Sequence, residues 1–245
     1  MRKFGLIGRN ISYSFSQNYF TTKFTSEGIE DASYQNFDIP NIKAVLDLFK
    51  QSDIVGLNVT IPYKETIIPY LDTLDEKAKQ IGAVNTIKCM ANGELIGYNT
   101  DCYGFKKSLQ PLLKPIHTRA LILGTGGASK AVAFTLDELG IPYQFVSRNV
   151  EKPNCITYQD VTESTINQNL ILINCTPLGT FPNIKDTPQI PYKFLTETHI
   201  LYDLIYNPEE TLFLKQGRKK NATTINGLLM LKLQAEEAWR IWNHN

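Results

Sequence analysis

A glycine-rich turn in the middle of the chain, Leu121-Ile122-Leu123-Gly124-Thr125-Gly126-Gly127-Ala128-Ser129, constrains the fold more than any other feature. An apolar run enters it, and a helix-forming run from Lys130 to Leu136 leaves it. Strand, glycines, helix is the order that a nucleotide pyrophosphate needs. Glycines let the backbone turn tightly and approach the phosphates, and the helix start offers free N–H groups and the positive end of its dipole. Such turns also occur for purely structural reasons, and Ser129 stands where the full dinucleotide fingerprint has a third glycine. A second apolar run, Ile141 to Val146, ends at Ser147-Arg148-Asn149. An acidic residue there would accept the ribose 2′-hydroxyl of NAD, whereas a guanidinium suits the 2′-phosphate of NADP. Arg148 therefore points to NADP, although an arginine after a strand is also often just solvated.

Around this turn, strand-like and helix-like segments alternate at 120–124, 128–139, 142–147, 170–174 and 199–204. That alternation predicts a parallel sheet covered on both faces, with ligands at the carboxyl ends of its strands. Pro208 to Gly217 reads as a helix, with proline first, acids in its first turn and glycine after the last. Arg218-Lys219-Lys220 reads as its solvated end. A final helix is expected over 227–242. Leu228, Leu231, Ala235, Ala238 and Trp242 share one face, and Gln234 lies at that face's edge. A polar amide there needs a partner, either in the core or on a ligand.

The first hundred residues read as a mixed α/β unit. Strands are expected at 4–7, 34–39 and 55–59, with helices at 17–25, 42–50, 64–70 and 74–81. A hairpin turns at Ala91-Asn92-Gly93. A helix over 100–113 leads into the nucleotide unit. At 245 residues and 42% hydrophobic, the chain has enough apolar material for two modest domains. A net charge of +1 gives no reason to expect nucleic acid or an acidic membrane surface. No run of apolar residues is long enough to span a membrane, and the start of the chain lacks a signal-peptide core. Four cysteines without paired spacing and three histidines leave no zinc signature. The expectation is a reduced, cytoplasmic, metal-free protein.

Three polar clusters interrupt the early strands. In Ser12-Tyr13-Ser14-Phe15-Ser16, alternating hydroxyls on an extended stretch point the same way, so Ser14 and Ser16 are candidates to bind a carboxylate; serines before a helix also serve as caps. Asn58 and Thr60 alternate likewise, and Lys64 then opens the expected 64–70 helix. A lysine at a helix N-terminus is electrostatically misplaced, which makes Lys64 a candidate proton donor or acceptor. The third cluster is Gly97-Tyr98-Asn99-Thr100-Asp101 with Asn85-Thr86 on the preceding strand; Asp101 fits either a site or a helix cap.

Gly56-Leu57-Asn58-Val59-Thr60-Ile61-Pro62-Tyr63-Lys64, Gly82-Ala83-Val84-Asn85-Thr86 and Gly97 to Asp101 resemble three signature blocks of the shikimate dehydrogenases. The likeness continues through Ser14-Phe15-Ser16, Gly124 to Ser129, Asn174-Cys175-Thr176-Pro177-Leu178-Gly179, Tyr202 to Tyr206, and Asn226-Gly227-Leu228 to Gln234. It is collinear over nearly the whole chain. The resemblance implies reversible NADPH-dependent reduction of 3-dehydroshikimate to shikimate in the shikimate pathway. It assigns Lys64 and Asp101 as the catalytic pair and Ser14 and Ser16 as a carboxylate clamp. Asn58, Thr60, Asn85, Tyr206 and Gln234 fall on the substrate side. Gly124, Thr125, Gly126, Gly127, Ala128, Ser129, Ser147, Arg148, Asn149, Thr176, Leu204 and Gly227 fall on the cofactor side. It also implies a substrate domain over 1–100 and 227–245, a Rossmann-like NADP domain over 101–226, a last helix returning to the first domain, and a monomer or homodimer.

The chain departs from the family pattern at several places. Gln17 replaces a usual proline, Tyr13 and Tyr63 replace common histidines, and Asn226 replaces a usual aspartate. The chain is also short, trimmed around Pro153 to Asn169 and after Trp242. A quinate/shikimate dehydrogenase using both NAD and NADP is the alternative, as is a binding module that keeps the fold without turnover.

Overall fold

The computed structural model describes residues 1–11, 14–51, 53–150 and 154–244. It divides into two compact units, Met1–Thr100 with Ala235–Asn245, and Asp101–Gln234.

In chain order the first unit contains β1 (Arg2–Gly8), α1 (Phe15–Ser26), β2 (Ala32–Asp38), α2 (Val45–Phe49), β3 (Ile54–Val59), β4 (Thr73–Leu74), α3 (Glu76–Ile81), β5 (Thr86–Cys89) and β6 (Leu95–Tyr98). Its six-stranded sheet runs β2-β1-β3-β5-β6-β4. The β2-β1-β3 half is parallel, and β5 pairs antiparallel with both β3 and β6. The β5–β6 connection is the expected hairpin, with Asn92 Oδ1 accepting from the Glu94 N–H at 3.0 Å. Side chains alternate across β1. Phe4 and Leu6 join Phe20, Phe24 and Tyr34 on one face; Ile7 joins Leu57, Val59, Val45 and Leu48 on the other.

The second unit contains α4 (Asp101–Leu109), β7 (Ala120–Leu123), α5 (Gly127–Glu138), β8 (Tyr143–Val146), β9 (Cys155–Ile156), α6 (Glu163–Gln168), β10 (Ile171–Asn174), β11 (Ile200–Asp203), α7 (Leu212–Arg218) and β12 (Thr223–Ile225). The last helix, α8 (Leu228–Asn243), starts here, and its final residues count with the first unit. Six parallel strands run β12-β11-β10-β7-β8-β9. Every residue of β7, β10 and β11 is buried, because helices cover both sheet faces. Ile122, Ile173 and Tyr202 pack with Phe105, Val132 and Leu136 on one face; Leu121, Leu172 and Leu201 pack with Ile166 and Phe213 on the other. The order in which the chain lays down strands reverses between β7 and β10. Their carboxyl ends therefore open a crevice where ligands bind in sheets of this kind.

Three local expectations need correction. No helix starts at Lys64. Residues 61–67 form turns, and a short 3₁₀ segment follows at Ile68–Tyr70. The Lys64 carbonyl accepts from the Val84 N–H at 2.7 Å, while the Ile68 N–H bonds to Glu65, so the i to i+4 bond from the Ile67 N–H to the Tyr63 carbonyl at 3.0 Å is not continued into a helix. The helix-terminus argument for Lys64 thus has no helix behind it. Ser14 has extended backbone angles but Ser16 lies in the first turn of α1, so the two hydroxyls do not alternate along one extended segment; Ser14 is the N-cap of α1, its Oγ accepting from the Ser16 N–H at 3.1 Å. Ser12 and Tyr13 lie outside the described residues. Finally, the helix expected from Pro208 begins at Leu212, where Thr211 supplies the cap, and Gly217 falls inside it.

Candidate active site

In the first unit the polar clusters converge on the ends of β3 and β5. Tyr34 Oη donates to Asn58 Oδ1 at 2.8 Å. Asn58 Nδ2 donates to the Asn85 carbonyl at 3.3 Å and to Thr86 Oγ1 at 3.2 Å. Asn85 Oδ1 accepts from the Thr100 N–H at 2.7 Å, and its Nδ2 donates to Thr100 Oγ1 at 3.0 Å. Asn99 Nδ2 reaches the Ala83 carbonyl at 2.9 Å. All these groups are buried, and the bonds fix Asn85 and Thr100 in single orientations. Both amide hydrogens of Asn58 are committed inside this network, so it shapes the floor rather than offering a free donor. Thr60 follows β3, its N–H bonded to the Ile7 carbonyl at 2.9 Å. Lys64 is half-buried on the turn that the Val84 bond holds next to Asn85. Ser14 is half-buried, and Ser16 is buried in the first turn of α1.

In the second unit Asp101 is the first residue of α4 and is buried, a placement the helix dipole favours for a carboxylate. One turn on, α4 crosses α8 closely. A β-carbon at Gly104 would lie 2.5 Å from the Met230 carbonyl and 3.1 Å from Gln234 Cβ. Gln234 is buried, with Nε2 donating to the Leu231 carbonyl at 2.9 Å. Leu204, after β11, lies directly under Gly227 at the head of α8. Tyr206 is 37% exposed, and burial of the rest raises its hydroxyl pKa.

The glycine-rich turn forms one wall of a cavity of about 350 Å³ at the reversal point of the sheet. Gly124, Thr125, Gly126, Ser147, Arg148 and Thr176 all line it. Gly124 has φ +101°, and a side chain there would meet Thr176 Cγ2 at 2.9 Å, so glycine is required. Gly126 is the N-cap of α5 and has no side chain of its own to cap the helix, and a β-carbon there would meet nothing within 4 Å. A helix N-terminus with glycine at its cap position beside open space, flanked by an exposed arginine, suits a phosphorylated nucleotide. Gly127, Ala128 and Ser129 form the first turn of α5 behind this wall. Ser129 is buried, its Oγ donating to the Gly126 carbonyl at 2.6 Å, so the residue in the third glycine's place braces the turn. Asn149 does not line the cavity; its N–H leans on Ser147 Oγ at 3.4 Å.

Residue-level reading of the sequence did not single out Tyr158, which completes the cavity just after β9. Burial raises its hydroxyl pKa, and the nearby Arg148 charge opposes the rise. Nothing local in the sequence marks it, because only pairing of β8 with β9 brings the two together.

A family profile described as the shikimate dehydrogenase substrate binding domain matches residues 6–87. A shikimate dehydrogenase (NADP(+)) from Methanococcus maripaludis is 41% identical, the match covering 97% of this chain and 90% of that protein. A crystal structure of a shikimate dehydrogenase in complex with NADP+ superposes with a TM-score of 0.88 at 37% identity, covering 99% of this chain and 90% of the other. The Thermus thermophilus shikimate 5-dehydrogenase, solved in complex with NADP(H) and shikimate, has a TM-score of 0.88 at 30% identity, covering 99% and 93%.

Proposed function

The chain belongs to the shikimate dehydrogenase family, and we propose that it reduces 3-dehydroshikimate to shikimate reversibly, with Lys64 and Asp101 as its catalytic residues. It is an NADP-dependent oxidoreductase of the shikimate pathway. The observation that carries the cofactor side is the cavity shared by Gly126, the glycine at the start of α5, and Arg148.

When bound, NADPH supplies a hydride to the substrate carbonyl carbon. The chain's own groups handle charge and protons. Open backbone at Gly126 and the start of α5 receive the pyrophosphate, and Arg148 pairs with the 2′-phosphate. The Lys64 ammonium donates a proton to the carbonyl oxygen as it gains negative charge, and takes one back in the oxidative direction. Asp101 orients that ammonium and accepts a hydrogen bond from a substrate hydroxyl. Ser14 and Ser16 hold the substrate carboxylate; Thr60, Asn85, Tyr206 and Gln234 hold its hydroxyls, and Asn58 keeps Asn85 in place. Leu204 and Gly227 back the nicotinamide. In this reading the enzyme works in the cytoplasm as a monomer or homodimer with its four cysteines free.

Arg148 favours NADP over the dual-cofactor quinate alternative, since a guanidinium gains little from an unphosphorylated ribose. Growth of NADPH absorbance on mixing the protein with shikimate and NADP+ tests the proposal. A flat trace with both ligands bound would favour a binding module instead. Faster turnover of quinate than of shikimate would favour the alternative substrate.

A further inference from the structure

Asp203 ends β11 with no exposed surface, and burial pushes its carboxyl up to about 6. Its Oδ2 accepts from Thr211 Oγ1 at 2.6 Å. Its Oδ1 accepts from Asn174 Nδ2 at 3.0 Å and from the Ile205 N–H at 3.1 Å. Asn174, at the end of neighbouring β10, turns its own Oδ1 the other way. There it accepts from the Thr176 N–H at 3.0 Å and from Thr176 Oγ1 at 2.6 Å. Thr176 Oγ1 in turn accepts from the Leu178 N–H at 3.3 Å, so its hydroxyl has one orientation and its methyl group faces Gly124. Thr176 lines the cavity; Asn174, Asp203 and Thr211 do not.

A carboxylate buried among neutral partners is a poor source of stability, so packing does not account for Asp203. Its three donors come from three separate segments, the end of β10, Ile205 two residues after β11, and the cap of α7. Together they fix where the backbone after β10 sits. We propose that Thr211, Asp203 and Asn174 form a positioning relay that holds Thr176 against the Gly124 turn and thereby sets the affinity for the phosphates of NADP. The relay rests on the reading of this cavity as the NADP site. With the Thr211 hydroxyl gone, Oδ2 of Asp203 loses its donor, the carboxylate turns from Asn174, and Thr176 is no longer held.

The test breaks the relay at its far end. Thr211→Val removes the donated hydrogen at nearly constant shape, Thr211→Ser keeps it, and Thr176→Val removes the near end. Calorimetric titration gives Kd for NADP+, initial rates give KM for shikimate, and thermal melting gives stability. Thr211→Val is expected to weaken NADP+ binding about fivefold, the scale of one buried hydrogen bond. KM for shikimate should be unchanged, and Thr211→Ser should bind like the unmodified protein. The Thr211→Val/Thr176→Val double variant should bind no more weakly than the weaker single one, because a broken relay cannot be broken twice.

Losing the α7 cap also lowers the melting temperature, and a merely structural Thr211 would show that loss with Kd unchanged. That result, or a double variant whose effects multiply, overturns the relay. Should Thr211→Val fail to fold, Asn174→Ser carries the same expectation of weaker NADP+ binding with shikimate KM unchanged. If the unmodified protein bound no NADP+, the cofactor assignment would fall and the relay with it. Normal NADP+ binding with unresponsive variants removes the relay alone.

Discussion

Gly227→Ala inserts a single methyl group between two backbones that have no room for it. The β-carbon would lie 2.0 Å from the Leu204 carbonyl oxygen and 2.6 Å from its carbon, whereas real contacts stay above 3.0 Å. The chain at Leu204 and the head of α8 must therefore part by about an ångström. Neither side has a flexible end that can yield. The Leu204 N–H is bonded to the Asn174 carbonyl at 3.1 Å, and the Gly227 N–H to the Ile205 carbonyl at 3.0 Å. Overpacking of this kind costs about 1–3 kcal/mol, a fall of about 2–12 °C in Tm for a chain of this size. Because Leu204 backs the nicotinamide in the proposed site, a shift of about 1 Å is expected to lower kcat/KM by about 10²-fold. Melting followed by circular dichroism and initial rates with NADPH read the two effects. Gly126→Ala is the contrasting change. Its φ of −72° suits alanine and no protein atom is near, so the fold should melt normally while the methyl group fills phosphate space and raises KM for NADP+. A Gly227→Ala protein with native Tm and native kcat/KM would refute the reasoning.

Lys64→Ala should lower kcat by a factor of about 10²–10⁴ with a much smaller change in shikimate affinity, and near-native turnover would remove Lys64 from the chemistry. Arg148→Ala should erode the preference for NADPH over NADH by about 1–3 kcal/mol; equal use of both cofactors by the unmodified protein would contradict the role given to Arg148. Burial holds the His199 imidazole below its usual range. The unfolded chain therefore binds the extra proton first, and stability present at neutral pH is lost as pH falls below about 6.5. Asp203 acts in the opposite sense, since its carboxyl sits at about 6 when folded, and the penalty for its charge fades as pH falls from there toward the unfolded value of about 3.9. The Tm difference between His199→Gln and the unmodified protein isolates the histidine. It should shift in favour of the variant on acidification, and a pH-independent difference would contradict the assignment.

The strands of the second unit were legible because Ala120-Leu121-Ile122-Leu123, Ile171-Leu172-Ile173 and Ile200-Leu201-Tyr202 are continuous apolar runs, as strands buried on both faces must be. The Gly124 turn was legible because it depends on local backbone sterics. What local reading missed depends on partners distant in sequence. Lys64 looked like a helix start until the Val84 N–H took its carbonyl. Pro208-Glu209-Glu210 has the composition of a helix N-terminus, yet Thr211 is the residue whose hydroxyl reaches the Leu214 N–H. Ser14 is compatible with both of its readings, since its Oγ accepts from the Ser16 N–H as a cap while a hydroxyl also carries a hydrogen that can be donated to a carboxylate. Asn58 looked like a ligand contact, but Tyr34, Asn85 and Thr86 engage its amide. The likeness to the family supplied which strand ends are assigned to chemistry in the proposed site; residue patterns alone left each of them with a structural alternative.

The first unit is built from two stretches of chain that are far apart in sequence. Trp242 packs on Phe4 with ring centroids 4.9 Å apart, fills the space over Gly56, and donates Nε1–H to the Ile87 carbonyl at 2.9 Å. During translation, Phe4, Phe20, Phe24 and Tyr34 emerge long before that indole does. The whole of residues 101–234 must be made in between, on the order of ten seconds at ordinary elongation rates. The nascent amino-terminal sheet thus carries an uncovered aromatic face for the interval, a surface that chaperones bind. Newly made chains arrested before Trp242 should be captured by such factors, and released once the carboxyl-terminal turn of α8 clears the ribosome.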